Sequence, residues 1–309
     1  MSNIIEFIKP NDLIVIEGEN EFVIRKGFLH INEIIIDKNG SSNSFIKAMR
    51  EFIQNKKIDL SQNDSAYEDF MQLTKFGLID IAMNKNFLLI INKNYKDMVN
   101  NLCPDSIQVK TIEEMLSNED IKTLTENKNV LKLNELYDKF SSKLKNYDHI
   151  YYLNQFCNLV TNRAFNRIIN KLDIEYTIGI FDNDNIYLTG IKPNYTGCYE
   201  CLEKHIISKF SGTIKQYEDQ YNNSLEAISD NADISLVIGM VLKDMSNINK
   251  YGASSLTGNV IHFYTPNFEY SYNVNRKNSS CSVCATVNNV KFEEQNIRSV
   301  NVIKEVLSK

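Results

Sequence analysis

The stretch from residue 186 to residue 206, IYLTGIKPNYTGCYECLEKHI, decides how the rest of the chain is read. Ile186 to Thr189 are β-prone, and Gly190 and Pro193 stop that run in a turn. Cys198 and Cys201 follow in C-x-x-C spacing, and the residues from Glu200 to about Phe210 predict a helix that starts inside the pair. A second pair, Cys281-Ser-Val-Cys284, lies far downstream. Two such pairs supply the four thiolates of a tetrahedral zinc site, and the long segment between them excludes a compact zinc finger. Four sulfur ligands leave no open coordination position, so the zinc reads as structural. Iron on four thiolates and redox-active cysteine pairs are the rival assignments. His205 reads as a partly exposed helix histidine, and Cys103 and Cys157 as buried small hydrophobes.

Outward from this stretch, strands and helices alternate. Upstream, Glu175 to Ile180 forms a hairpin with Ile186 to Thr189 across residues 181–185. Further upstream, FLLII (87–91), Ile107 to Val109 and DHIYYL (148–153) read as strands, and Phe156 to Ile169 as a helix. TIEEML and an amphipathic stretch through Leu136 are helical in pattern. Downstream, a helix over Ala232 to Met245 precedes a hairpin of Asn259 to Tyr264 and Glu269 to Val274, with Pro266-Asn267 at its turn. This is the pattern of an α/β domain, assigned to residues 86–309.

Residues 1–85 read differently. Strands are predicted at Asp12 to Glu17, Glu21 to Ile24 and Phe28 to Ile36. A helix starts near Asn43 or Ser44, with Phe45, Ala48, Met49, Phe52 and Ile53 on one face. Ser61 to Ser65 could cap a second helix ending before Gly77, and Leu78 to Met83 extends as a strand. Three strands with a small helical set resemble a winged helix-turn-helix. The second helix carries Glu68 and Asp69 against Lys75, which is not the charge of a DNA recognition helix.

At 309 residues, two domains of roughly 150 are the natural division. The formal charge of −5 gives no general pull toward nucleic acid or an anionic membrane. The opening MSNIIEFIKPNDLIVIEG lacks the pattern of a signal peptide and no apolar run approaches a membrane span, so a cytoplasmic protein is expected. Neither G-x-G-x-x-G nor G-x-x-x-x-G-K-[ST] occurs, and His30, His149, His205 and His262 sit in no triad-like pattern. No catalytic residue is assigned.

Residues 186–206, followed by SLVIGMVLKDM and LTGNVIHFYTPNFEYSYNVNRKNSSCSVC, resemble the E1-like, ThiF-related partner proteins of peptide cyclodehydratases. Those proteins serve thiazole- and oxazole-forming pathways of the streptolysin S, microcin B17 and thiopeptide types. The order of elements is similar over almost the whole chain, while the specific motifs all lie after residue 186. The resemblance implies a winged-helix-like recognition element for a precursor's leader peptide, then an E1-like α/β scaffold with the four-cysteine zinc site. In that family the leader adds beside the third strand and rests on the third helix, here about Leu29 to Ile36 and Tyr67 to Phe76. The implied peptide contacts are Leu29, Ile31, Ile34, Ile36, Tyr67, Phe70, Met71, Leu73 and Thr74. The implied role is non-catalytic: presenting the precursor to a separate ATP-dependent YcaO-type cyclodehydratase, with a flavin-dependent azoline dehydrogenase as a further partner. On this reading the chain carries zinc but neither ATP nor flavin, and whether two copies pair is open. An E1-like ATP-dependent adenylyltransferase and a winged-helix DNA-binding regulator are the alternatives.

Overall fold

The computed structural model describes residues 4–29, 31–126, 129–208 and 231–285. Two units are distinguished: Met1–Lys85 together with Met245–Ala253, and Asn86–Asp244 together with Ser254–Lys309.

The first unit runs β1 (Ile4–Ile8), β2 (Leu13–Glu17), β3 (Glu21–Lys26), β4 (Asn32–Asp37), α1 (Asn43–Asn55), β5 (Lys57–Ser61), α2 (Tyr67–Lys75) and β6 (Asp80–Ile81). It holds two three-stranded antiparallel sheets, ordered β5-β1-β6 and β2-β3-β4. The sequence reading found the second sheet and missed β1 and β5. Lys56, in the left-handed region at φ 61°, turns the chain from α1 straight into β5, so no glycine announces the strand. The third strand begins at Asn32, not Phe28; Phe28 and Leu29 lie exposed ahead of it. Ser42 caps α1 by accepting from the Phe45 N–H at 3.1 Å. The expected serine cap of α2 is absent, since Ala66 stands at its N-cap. Phe70 sits at the centre of the core, with Phe7, Phe45 and Phe52 packed edge-on around its ring.

The second unit contains β7 (Phe87–Ile91), α3 (Lys96–Leu102), β8 (Gln108–Thr111), α4 (Ile112–Met115), α5 (Asn118–Glu126), α6 (Val130–Leu144) and β9 (His149–Gln155). It continues through α7 (Leu159–Lys171), β10 (Tyr176–Phe181), β11 (Asn185–Ile191), α8 (Tyr199–Ile207), α9 (Asn231–Tyr251, counted with this unit as far as Asp244), β12 (Asn259–Tyr264) and β13 (Glu269–Val274). The expected end of α8 at Phe210 lies outside the described residues, as does His30. Seven strands form one sheet, ordered β13-β12-β11-β10-β9-β7-β8. β8, β7, β9 and β10 are parallel, and β11, β12 and β13 extend the sheet antiparallel. Every residue of β7 and β9 is buried, as expected for parallel strands covered on both faces. Among the described residues, no helix is long and apolar enough to cross a membrane.

Candidate functional site

The two cysteine pairs meet. Cys198 is the N-cap of α8 and Cys201 lies one turn inside it, while Cys281 and Cys284 sit in the loop that follows β13. All four are buried, and their sulfur atoms lie within 4.8 Å of one another. Cys198 and Cys281 are 3.5 Å apart at Sγ, Cys201 and Cys284 3.2 Å, and Cys198 and Cys201 4.0 Å. A tetrahedral ion with 2.3 Å metal–sulfur bonds needs sulfurs about 3.8 Å apart, so the cluster is of the right size to ligate a metal. Hydrogen bonding with the Cys198 sulfur draws the Cys201 thiol down to about 7, toward the thiolate that a metal requires. The Asn278 N–H also points at Cys201 Sγ, at 3.2 Å.

The loops carrying the cysteines are laced together one residue before the first ligand. The Gly197 N–H donates to the Asn275 carbonyl at 3.0 Å, and Asn275 Nδ2 donates to the Gly197 carbonyl at 2.8 Å. A Cβ on residue 197 would lie 2.7 Å from the Arg276 carbonyl oxygen, so only glycine fits. Below the cluster, α7 grips α8. Arg163 Nε donates to both carboxylate oxygens of the buried Glu203, at 3.0 and 3.1 Å, and Arg167 Nε donates to Glu200 at 3.2 Å. Sequence reasoning missed these clamps, although R-x-x-x-R at 163/167 and E-x-x-E at 200/203 each place two charges on one helix face. Cys103 and Cys157 are half-buried and not buried as expected; burial still pushes the Cys103 thiol up to about 11.

A second polar constellation was also missed. The chain leaves β7 for β8 on one side and later returns to β9 on the other, so the carboxyl ends of β7 and β9 form a topological switch point. Open α/β sheets bind ligands there. At these ends Asn154 Nδ2 donates to Asn162 Oδ1 at 2.7 Å, and Gln155 Nε2 donates to the Tyr95 hydroxyl at 3.1 Å. Asn158 Nδ2 donates to Asn154 Oδ1 at 3.0 Å, so Asn158, although the N-cap of α7, makes no capping bond with its side chain. The signal in the sequence was NQFCN, a polar cluster directly after the apolar IYYL strand.

In the first unit, β4 is paired only with β3 among the described residues. Between β4 and α2 lies a cavity of about 550 Å³ lined by Ile34, Ile36, Phe45, Leu73 and Phe76, with Asp69 and Gln72 among its polar residues. Of the other residues implied as peptide contacts, Tyr67, Phe70 and Thr74 are buried, and the Thr74 hydroxyl bonds back to the Phe70 carbonyl at 3.0 Å. Met71 is partly buried, while Leu29 and Ile31 are exposed.

No family model and no curated protein matches the sequence. Solved structures do match in fold. The heterocyclase TruD superposes with a TM-score of 0.51 at 9% identity over 91% of this chain and 43% of that one. A heterocyclase in complex with substrate and cofactor gives 0.53 at 9% identity, over 91% and 39%. MccB of E. coli with ATP gives 0.46 at 14% identity, over 90% and 99%. The α/β fold is shared with these two heterocyclase structures. The chain spans about two fifths of the length of the heterocyclase chains it matches.

These structures correct the reading of a non-catalytic partner and scaffold that carries no ATP. The same fold is found in a heterocyclase solved with substrate and cofactor, so this fold does not by itself mark a passive subunit. The reading of a purely recognising element falls with it. The physical error lay in treating the missing glycine motif as an absent phosphate site. Backbone N–H groups at a helix N-terminus hold phosphate without that motif, and the switch point gathers polar groups that no short motif displays.

Proposed function

We propose that this chain is an E1-like, ATP-dependent adenylyltransferase that acts on a ribosomally made peptide. The observation that carries the reading is the switch point between β7 and β9 in an E1-like sheet, where the chain places Asn92, Gln155 and the uncapped start of α7. ATP would supply the adenylyl group there, with pyrophosphate leaving as a peptide oxygen takes the α-phosphorus. The turn after β7 carries a side chain at each position and is closed by Asn92, which accepts from the Asn94 N–H at 3.0 Å. It is therefore no glycine cradle. The first-turn N–H groups of α7 are the better phosphate donors, because the Asn158 side chain is turned to Asn154 and leaves them open.

The peptide's leader belongs in the groove of the winged-helix-like first unit. A strand added to the edge of β4 that is unpaired among the described residues would gain backbone hydrogen bonds, and Ile34, Ile36, Leu73 and Phe76 would read its alternate side chains. Leu29 and Ile31 are the exposed apolar residues ahead of that edge. The four thiolates hold a zinc ion that fixes the start of α8 to the loop after β13, a structural role in keeping with the all-sulfur shell. The YcaO-type cyclodehydratase and the flavin-dependent dehydrogenase rest on the sequence resemblance alone.

The test uses the zinc-replete chain, tagged and purified gently from its own host, together with the short peptides it retains. Peptide-dependent release of pyrophosphate from ATP, with an adenylylated peptide in the mass spectrum, is the expected result. Ile34→Asp should raise the peptide KM with kcat unchanged. Failure to consume ATP with a retained peptide present would sink the reading.

A further inference from the structure

A cavity of about 700 Å³ lies between α8 and the face made by β11, β12 and β13. Its volume is that of a small-molecule site, too large for a lone inorganic ion. Lys204, His205, His262, Arg276 and Lys277 line it, and among the described residues no aspartate or glutamate does. Three permanent cations and two histidines thus converge in a chain whose net charge is −5.

The blander account is that these cations merely offset the neighbouring thiolates. Their bonding argues otherwise. Lys204 Nζ donates to the Ser280 carbonyl at 2.9 Å and Lys277 Nζ to the Asn194 carbonyl, both neutral acceptors, and neither lysine has a carboxylate partner among the described residues. The guanidinium of Arg276 has no hydrogen-bond or ion-pair partner among the described residues. Arg25, Arg50, Arg163 and Arg167 each hold a carboxylate. A planar wall completes the site: His262 stacks on Tyr187 with ring centroids 4.2 Å apart and 3° between planes, and His262 Nε2 is fixed by Asn185 Oδ1 at 2.9 Å.

We infer that this cavity binds a small phosphorylated molecule, with Arg276 gripping the phosphate and Lys204 and Lys277 supplying field. Arginine matches a phosphate through paired N–H donors, and a concave, carboxylate-free wall strengthens that attraction. The site is separate from the switch point, and the inference stands without the adenylyl-transfer reading.

The experiment titrates inorganic pyrophosphate into the full zinc-loaded chain and follows the imidazole NMR signals of its four histidines. Saturable shifts of the His205 and His262 signals, with the other two unmoved, are expected. Arg276→Ala should weaken that binding at least about tenfold, as the loss of a charge-assisted pair does, with zinc content and melting temperature unchanged. Arg276→Lys should recover part of it. Tricarballylate, a carboxylate of comparable charge, serves as the second probe. Equal binding of tricarballylate would overturn the phosphate assignment. Absence of His205 and His262 shifts, or shifts that survive in Arg276→Ala, would overturn the site.

Discussion

A single methyl group at residue 197 should be enough to loosen the four-cysteine cluster. The Arg276 carbonyl and Asn275 Oδ1 stand 2.7 and 2.6 Å from where that methyl would go, and the first is backbone that cannot swing aside. Gly197→Ala must therefore push apart the two loops that carry the cysteine pairs. Metal affinity should fall about 10- to 100-fold, the usual cost of disturbing a supporting contact, measured by zinc competition against a chelator. Cys284→Ser, which removes a ligand outright, should abolish stoichiometric zinc; retention of one equivalent in that variant would refute the four-thiolate centre. Another residue sets a pH response. Burial raises the Asp244 carboxyl above its ordinary value of 3.8, while Ser254 Oγ at 2.7 Å and the Tyr151 hydroxyl at 2.9 Å donate to it and partly oppose the rise. The folded state thus holds this proton more tightly than the unfolded chain. Its stabilising effect is complete below the ordinary value and is lost as pH rises through the raised one. Asp244→Asn cannot ionise, so its melting temperature should fall less than the parent's between about pH 4 and pH 7. Parallel melting curves against pH would contradict this.

At the scale of elements, the clamp between α7 and α8 sets how firmly the first cysteine pair is presented. Glu203 is buried with its side chain 2% exposed, and Arg163 is its ion-pair partner. Arg163→Ala would remove the ion-pair partner of that buried carboxylate, and the second unit should lose about 3–5 kcal/mol in urea unfolding. The paired replacement Arg163→Met with Glu203→Met removes both charges together and should be nearly neutral. A double variant as unstable as the single one would mean that packing, and not the broken ion pair, sets the cost. This same scale shows what the sequence discloses and what it hides. β12 and β13 are legible to the residue, because Pro266-Asn267 separates two β-prone runs. β5 is not, because Lys56 makes the turn that glycine usually makes. The cysteine pairs were legible because a metal site repeats its spacing, 83 residues apart. The switch-point polar groups were not: Tyr95 and Gln155 become neighbours only once β7 and β9 lie side by side, and asparagine is too common in this chain for Asn154 or Asn158 to stand out.

For the whole molecule, the informative fact is that the first unit is discontinuous. Met245–Ala253 is counted with Met1–Lys85, although 159 residues separate the two segments. Its contribution is polar and specific. Asn249 Oδ1 accepts from the Asn84 N–H at 3.1 Å, and Asn249 Nδ2 donates to the carbonyls of Ile81 and Ala82 at 3.2 and 3.0 Å. Lys250 pairs with Asp80, which Lys26 also approaches at 3.6 Å. The short strand β6 therefore has its backbone satisfied from two directions: by β1 in the sheet, and by a side chain from the end of α9. Without Asn249, an N–H and two carbonyls lose their partners at once. Hydrogen bonds contribute about 0.5–1.5 kcal/mol each, and a buried group left unpaired costs more. Asn249→Ala should accordingly destabilise the first unit by about 2–4 kcal/mol, read by hydrogen exchange at the β1 and β6 amides. A fragment of residues 1–85 should show the same weakening, and a peptide of residues 240–253 added in trans should restore part of the protection. Full protection in the fragment alone would show that the distant segment is dispensable. If the weakening is seen, a leader peptide bound on β4 in the full chain acts on a unit whose stability depends on a helix encoded more than 150 residues away.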